Sequence, residues 1–133
     1  MSILNANKAY QNNSVQTASP GELTLMLYNG CLKFIGLART GIELKNTEQK
    51  NTNLLKAQKI IQELMVTLNM DLEVSKSLMT MYDYINRRLI EANIHNDVKI
   101  LDEVEDYVLD FRNTWKEVIQ INRRMQHGET GRV

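Results

Sequence analysis

The stretch SPGELTLMLYNGCLKFIGLARTGIEL, residues 19–44, decides the fold. Ser19 stands where a helix N-cap belongs, Pro20 at the first helical position, and Glu22 three residues after the serine as a capping-box partner. Beyond this start, Leu23, Met26, Leu27, Phe34, Leu37 and Ala38 recur at helical spacing, and Gly30 and Gly41 allow a neighbour to approach closely. The spacing predicts a helix from about Pro20 to Leu44 with those residues as its seam.

Working outward, the same period returns three times. Asn46-Thr47-Glu48-Gln49 is a polar break with capping potential, followed by Leu54, Ala57, Ile61, Leu64, Leu68 and Leu72. Ser75 is read as the cap of a third helix with the stripe Leu78, Met81, Tyr82, Ile85, Leu89 and Ala92, and Met70 to Val74 could continue either neighbour. His95-Asn96-Asp97 supplies a turn before Leu101, Val104, Val108, Phe111, Trp115 and Val118. Between Gly41 and Gly128 there is no proline or glycine to break a helix. Four stripes with short connections predict an all-α, antiparallel four-helix bundle over residues 19–122. Residues 1–18, rich in Asn, Gln and Ser, read as an extended N-terminal arm, and residues 123–133 as a flexible C-terminal tail.

Composition narrows the function. The 133 residues suit one domain with one core. Sixteen Lys and Arg balance sixteen Asp and Glu, so no bulk charge draws the chain to nucleic acid or anionic lipid. Arg87-Arg88 and Arg123-Arg124 lack interleaved aromatics, and have acidic neighbours or sit at a fraying end, so neither reads as a nucleic-acid surface. No apolar run could span a bilayer, MSILNANKAYQNN does not read as a secretory signal, and the single cysteine suits a reducing cytoplasm.

The chemistry of an enzyme is hard to find. A di-iron bundle needs inward glutamates with Glu-x-x-His pairs. Only His95 and His127 are present, neither at that spacing, and Glu91 and His95 both lie off the seam, so no metal and no cofactor is expected. Cys31 falls on the apolar side of the first helix with no histidine near it in sequence, and reads as a small core residue.

The stronger signal is surplus apolar surface. The first helix is apolar over an arc of about 200°, against roughly 100° for a helix that packs on one side only. Leu25, Tyr28 and Leu32, then Leu55, Val66 and Met70, Ile90 and Ile94, and Ile100 and Tyr107 lie off the seams; some of them simply widen the core, and the set supplies the candidate partner-binding residues. Seven methionines suit both an irregular core, where methionine is commoner, and a surface that adapts to a helical guest, and so decide little by themselves. Ile3, Leu4 and Tyr10 of the arm could occupy such a groove when no partner is present. These features describe a protein-binding module, with a self-associating bundle adaptor as the alternative.

Ser19-Pro20-Gly21-Glu22-Leu23 followed by Leu27-Tyr28-Asn29-Gly30, with Tyr10-Gln11 and Val15 to Ala18 upstream, resembles the opening of the FliS family of flagellin export chaperones. The similarity continues through Met81-Tyr82-Asp83-Tyr84 and Arg87-Arg88-Leu89 to the region of Phe111 and Trp115, and looks nearest to Bacillus-like members. Asn29 departs from the aspartate often found there. The resemblance implies a cytoplasmic bundle that binds the disordered C-terminal segment of flagellin, prevents premature polymerisation and helps deliver it to the flagellar export gate. It further implies that the N-terminal segment covers part of the flagellin site when that site is empty.

Overall fold

The computed structural model describes residues 19–130, and these form four helices with no strand among them. Helix α1 spans Pro20–Glu43, α2 Thr47–Val66, α3 Glu73–His95 and α4 Val98–Thr130. The cap at Ser19 forms as the sequence predicts: its hydroxyl accepts from the Glu22 backbone N–H at 3.2 Å. The reciprocal half of the capping box does not form, because the Glu22 carboxylate turns outward and accepts from Arg123 on α4 at 2.6 Å. Asn46 caps α2 by accepting from the Gln49 N–H at 3.0 Å.

The third helix starts differently from expectation. Leu72 is its N-cap residue and makes no side-chain capping bond, while Ser75 is buried inside the first turn. Asn96, in the left-handed region at φ 53°, ends α3, and the Asp97 side chain accepts from the Lys99 N–H at 2.9 Å to start α4. Helix α4, at 33 residues, does not end at the expected tail boundary after residue 122 but continues to Thr130.

Each helix packs on the two next to it around a ring, α1 on α2, α2 on α3, α3 on α4 and α4 on α1. Neighbours run antiparallel. At one end Arg39 of α1 reaches Asp102 and Glu105 near the start of α4, and at the other the Trp115 Nε1–H donates to the Gly21 carbonyl at 2.8 Å. The core takes Tyr28, Cys31, Ile35 and Ala38 from α1, Leu54, Ala57, Ile61 and Leu64 from α2, Tyr82, Ile85, Leu89 and Ala92 from α3, and Ile100, Leu101, Val104 and Val108 from α4. The predicted seams of α2, α3 and α4 meet this core over most of their length, but Leu72 lies beyond α2 as the exposed N-cap residue of α3, and Val118 is exposed towards the outer end of α4. The seam of α1 is turned by one residue, so that Tyr28 rather than Leu27 points inward. No helix among the described residues is long and apolar enough to cross a membrane.

Candidate protein-binding groove

The wide apolar arc of α1 serves two faces. One is the buried row Tyr28, Cys31, Ile35 and Ala38. The other, about 100° round the helix, is formed by Leu23, Met26, Leu27, Gly30 and Phe34, all half-buried apart from the bare glycine backbone. With Lys59, Ile60, Gln62, Glu63 and Val66 of α2, and Thr67 just after it, they line an open groove of about 890 Å³. Its floor is shallow at Gly30, where a Cβ would stand 3.1 Å from Ile60 Cδ1. Lys33 and Lys56 lie over the Phe34 ring, their Nζ atoms 5.8 Å and 5.3 Å from its centroid.

Such a groove can bind an apolar segment but has no reacting group. The Cys31 thiol is fully buried and pushed up to about 12 by desolvation, so it stays protonated and out of reach at neutral pH. The Tyr28 and Tyr82 hydroxyls bond each other at 2.5 Å in the core, and burial raises both phenols above their ordinary value. Glu91 is engaged by Arg88 at 2.7 Å, and among the described residues no three His, Cys, Asp or Glu side chains converge in a way that could hold a metal.

The candidates read from sequence scatter. Val66, 85% exposed, lies on the groove, and Leu55 is exposed on the same stripe of α2 three turns earlier. Met70 is exposed in the connection after α2, and Ile90 and Ile94 are exposed on α3. Leu25 and Leu32 are half-buried in line with Arg39, on the flank of α1 that turns to α4. Tyr107 is half-buried edge-on to Tyr84, whose hydroxyl donates to Glu103. Tyr28 and Ile100 must be withdrawn as surface residues. Tyr28 is drawn in by its bond to Tyr82 and its stacking on Phe111 at 5.9 Å, and Ile100 closes the core beside Leu101. The arm residues Ile3, Leu4 and Tyr10 lie outside the described residues.

Sequence reasoning missed Leu23, Met26, Leu27, Phe34 and Ile60 as groove residues because it assigned the first four to the core seam. The signal was present in the 200° arc. Tyr28, Cys31, Ile35 and Ala38 form an equally regular row, and Gly30 marks the side where α2 comes close.

The family described as flagellar protein FliS matches residues 3–122 of the chain. The chain is 60% identical to the flagellar secretion chaperone FliS of Bacillus subtilis (strain 168) over 131 residues, 98% of each protein. It is 35% identical to that of Escherichia coli (strain K12) over 107 residues, 78% of this chain and 79% of the other. A crystal structure of a bacterial flagellar chaperone superposes with a TM-score of 0.72 at 21% identity, covering 88% of this chain and 97% of that one, which supports the helical fold.

Proposed function

The chain belongs to the FliS family, a family of flagellar secretion chaperones and not of enzymes, and from that premise we propose that it is a cytoplasmic export chaperone for flagellin. Its guest is the disordered C-terminal segment of flagellin, held so that it cannot polymerise early and can be handed to the export gate. The observation that carries this reading is the groove between α1 and α2, open along Leu23, Leu27, Phe34, Ile60 and Val66. A disordered guest loses about 2–5 kcal/mol in ordering, so its host must offer continuous apolar contact. Each aliphatic side chain buried against that surface returns roughly 1.5–3 kcal/mol before those losses. The exposed Leu55, Met70, Ile90 and Ile94 extend the proposed surface onto the other helices, where more of a long guest would lie. The arm, with Ile3, Leu4 and Tyr10, is the competitor for the empty site.

Calorimetric titration with the C-terminal segment of the same organism's flagellin tests the proposal. A one-to-one complex with a large negative heat-capacity change is expected. Leu27→Ala with Ile60→Ala should weaken binding by more than tenfold. Absence of binding to the folded bundle would remove the reading.

A further inference from the structure

We infer that the groove between α1 and α2 is polarised by charge and takes a guest helix in one direction, with an acidic C-terminal end seated at Phe34. This rests on the reading of that groove as the guest's site and names the chemistry and orientation of what lies in it. At the Phe34 end stand Lys33, Lys56 and Lys59, all exposed. No carboxylate among the described residues pairs with any of them, whereas Arg39, Arg88 and Arg123 are each tied to Asp or Glu. One turn further along α2 the sign changes at Glu63, and the far end is walled by Leu23, Val66 and Thr67.

The helices that form the walls do not supply this polarity. Helices α1 and α2 run antiparallel, so the positive end of one dipole stands beside the negative end of the other and the two largely cancel. The lysines decide the sign. From Leu23 to Phe34 the groove runs about 17 Å, the length of roughly three helical turns. A guest helix of that length gains most with its own negative C-terminus, and Asp or Glu in its last turns, against the lysines. It therefore lies parallel to α1 and antiparallel to α2. The arm does not match this pattern, since residues 1–18 contain Lys8 and no Asp or Glu. An acidic guest thus has an advantage over the arm at this end of the groove.

The test uses the full chain and two synthetic amphipathic peptides of identical composition and apolar face. One carries its glutamates in the last two turns and the other in the first two. The first should bind on the order of tenfold more tightly at low salt, with the difference shrinking as salt rises. A nitroxide on its C-terminus should broaden the backbone amide signals of Lys33 and Lys56 more strongly than those of Leu23 and Val66. Reversing the charges with Lys33→Glu, Lys56→Glu and Lys59→Glu together should invert the preference. The corresponding glutamine variants should abolish it without inversion. Equal binding of the two peptides, or stronger broadening at Leu23 and Val66 than at Lys33 and Lys56, overturns the inference. If the flagellin segment still binds in that case, the chaperone reading stands alone. If the flagellin segment fails to bind while the first peptide seats as described, the polarity stands and the chaperone reading falls. Binding of neither removes both.

Discussion

The Tyr28 hydroxyl on α1 and the Tyr82 hydroxyl on α3 lie 2.5 Å apart, a polar pair that links two helices not adjacent around the ring. Phe111 of α4 is stacked on the first ring at 5.9 Å and tilted against the second at 5.7 Å, so three helices meet at one aromatic cluster. Removing one hydroxyl leaves the other buried without this partner. Tyr28→Phe is therefore expected to lose about 1–3 kcal/mol of stability. The double variant Tyr28→Phe, Tyr82→Phe should lose less than the two singles combined, because no unpaired hydroxyl remains. Urea denaturation of the four proteins measures the coupling, and strict additivity would show that the bond contributes nothing.

Two glycines of α1 make opposite predictions. A Cβ on Gly41 would meet the Lys50 backbone nitrogen at 2.7 Å and the Asn46 carbonyl oxygen at 3.2 Å, and neither is a flexible side-chain end. Gly41→Ala must push α1 and α2 apart at their junction and should cost about 2–3 kcal/mol. A Cβ on Gly36 meets nothing within 4 Å, so Gly36→Ala should stabilise the protein by about 0.5–1 kcal/mol through helix propensity. Thermal denaturation should rank the three proteins Gly36→Ala, parent, Gly41→Ala.

The sequence disclosed helices more readily than faces. Ser19, Asn46 and Asp97 cap the helices that their positions suggest, because a cap is a local event among residues three or four apart. The seam of α1 was ambiguous because its apolar arc is wide enough for both core and groove, and partners distant in sequence choose between Leu27 and Tyr28: Tyr82 and Phe111 draw Tyr28 inward. Lys50, the residue after the polar break Asn46 to Gln49, is buried for a reason that lies on α3, out of reach of any local pattern. The end of α4 was set too early because Arg123-Arg124 and Gly128 look like a tail, while the ion pair from Arg123 back to Glu22 joins that stretch to the start of α1.

Cys31 links burial to pH. Its thiol ionises at an ordinary value of 9.0 when exposed, and burial pushes it up to about 12. Above pH 9.0 the unfolded chain releases this proton while the folded chain retains it, so folding stability is present below that pH and is lost as pH rises towards about 12. The slope approaches roughly 1.4 kcal/mol per pH unit. Tyr28, Tyr82 and Tyr84, also raised, add to the loss increasingly as pH approaches and passes their ordinary value of 10.0. Between these two values the thiol makes the leading contribution, and Cys31→Ala should reduce the slope of stability against pH over that interval. In the parent, a thiol-specific chromogenic disulfide should react at the rate of unfolding. Immediate reaction of the native protein would show that the thiol is exposed.

Lys50 is only 7% exposed, and its ammonium donates to the Asn93 carbonyl at 3.0 Å and to the Asn96 side-chain oxygen. A single cation from α2 thereby satisfies the last turn of α3 and its left-handed end at Asn96, where the helix dipole presents partial negative charge. The stem packs between the helices while the charge is matched by carbonyl oxygens. Lys50→Met retains most of the stem and deletes the donor, leaving the Asn93 carbonyl without it, and should cost about 1–3 kcal/mol. The damage should be local first. Amide exchange of His95, Asn96 and Asp97 is expected to accelerate more than that of Ile61 or Leu89 in the core. A uniform acceleration would show that Lys50 supports the bundle as a whole, and no loss of stability would show that the charge is replaceable by solvent.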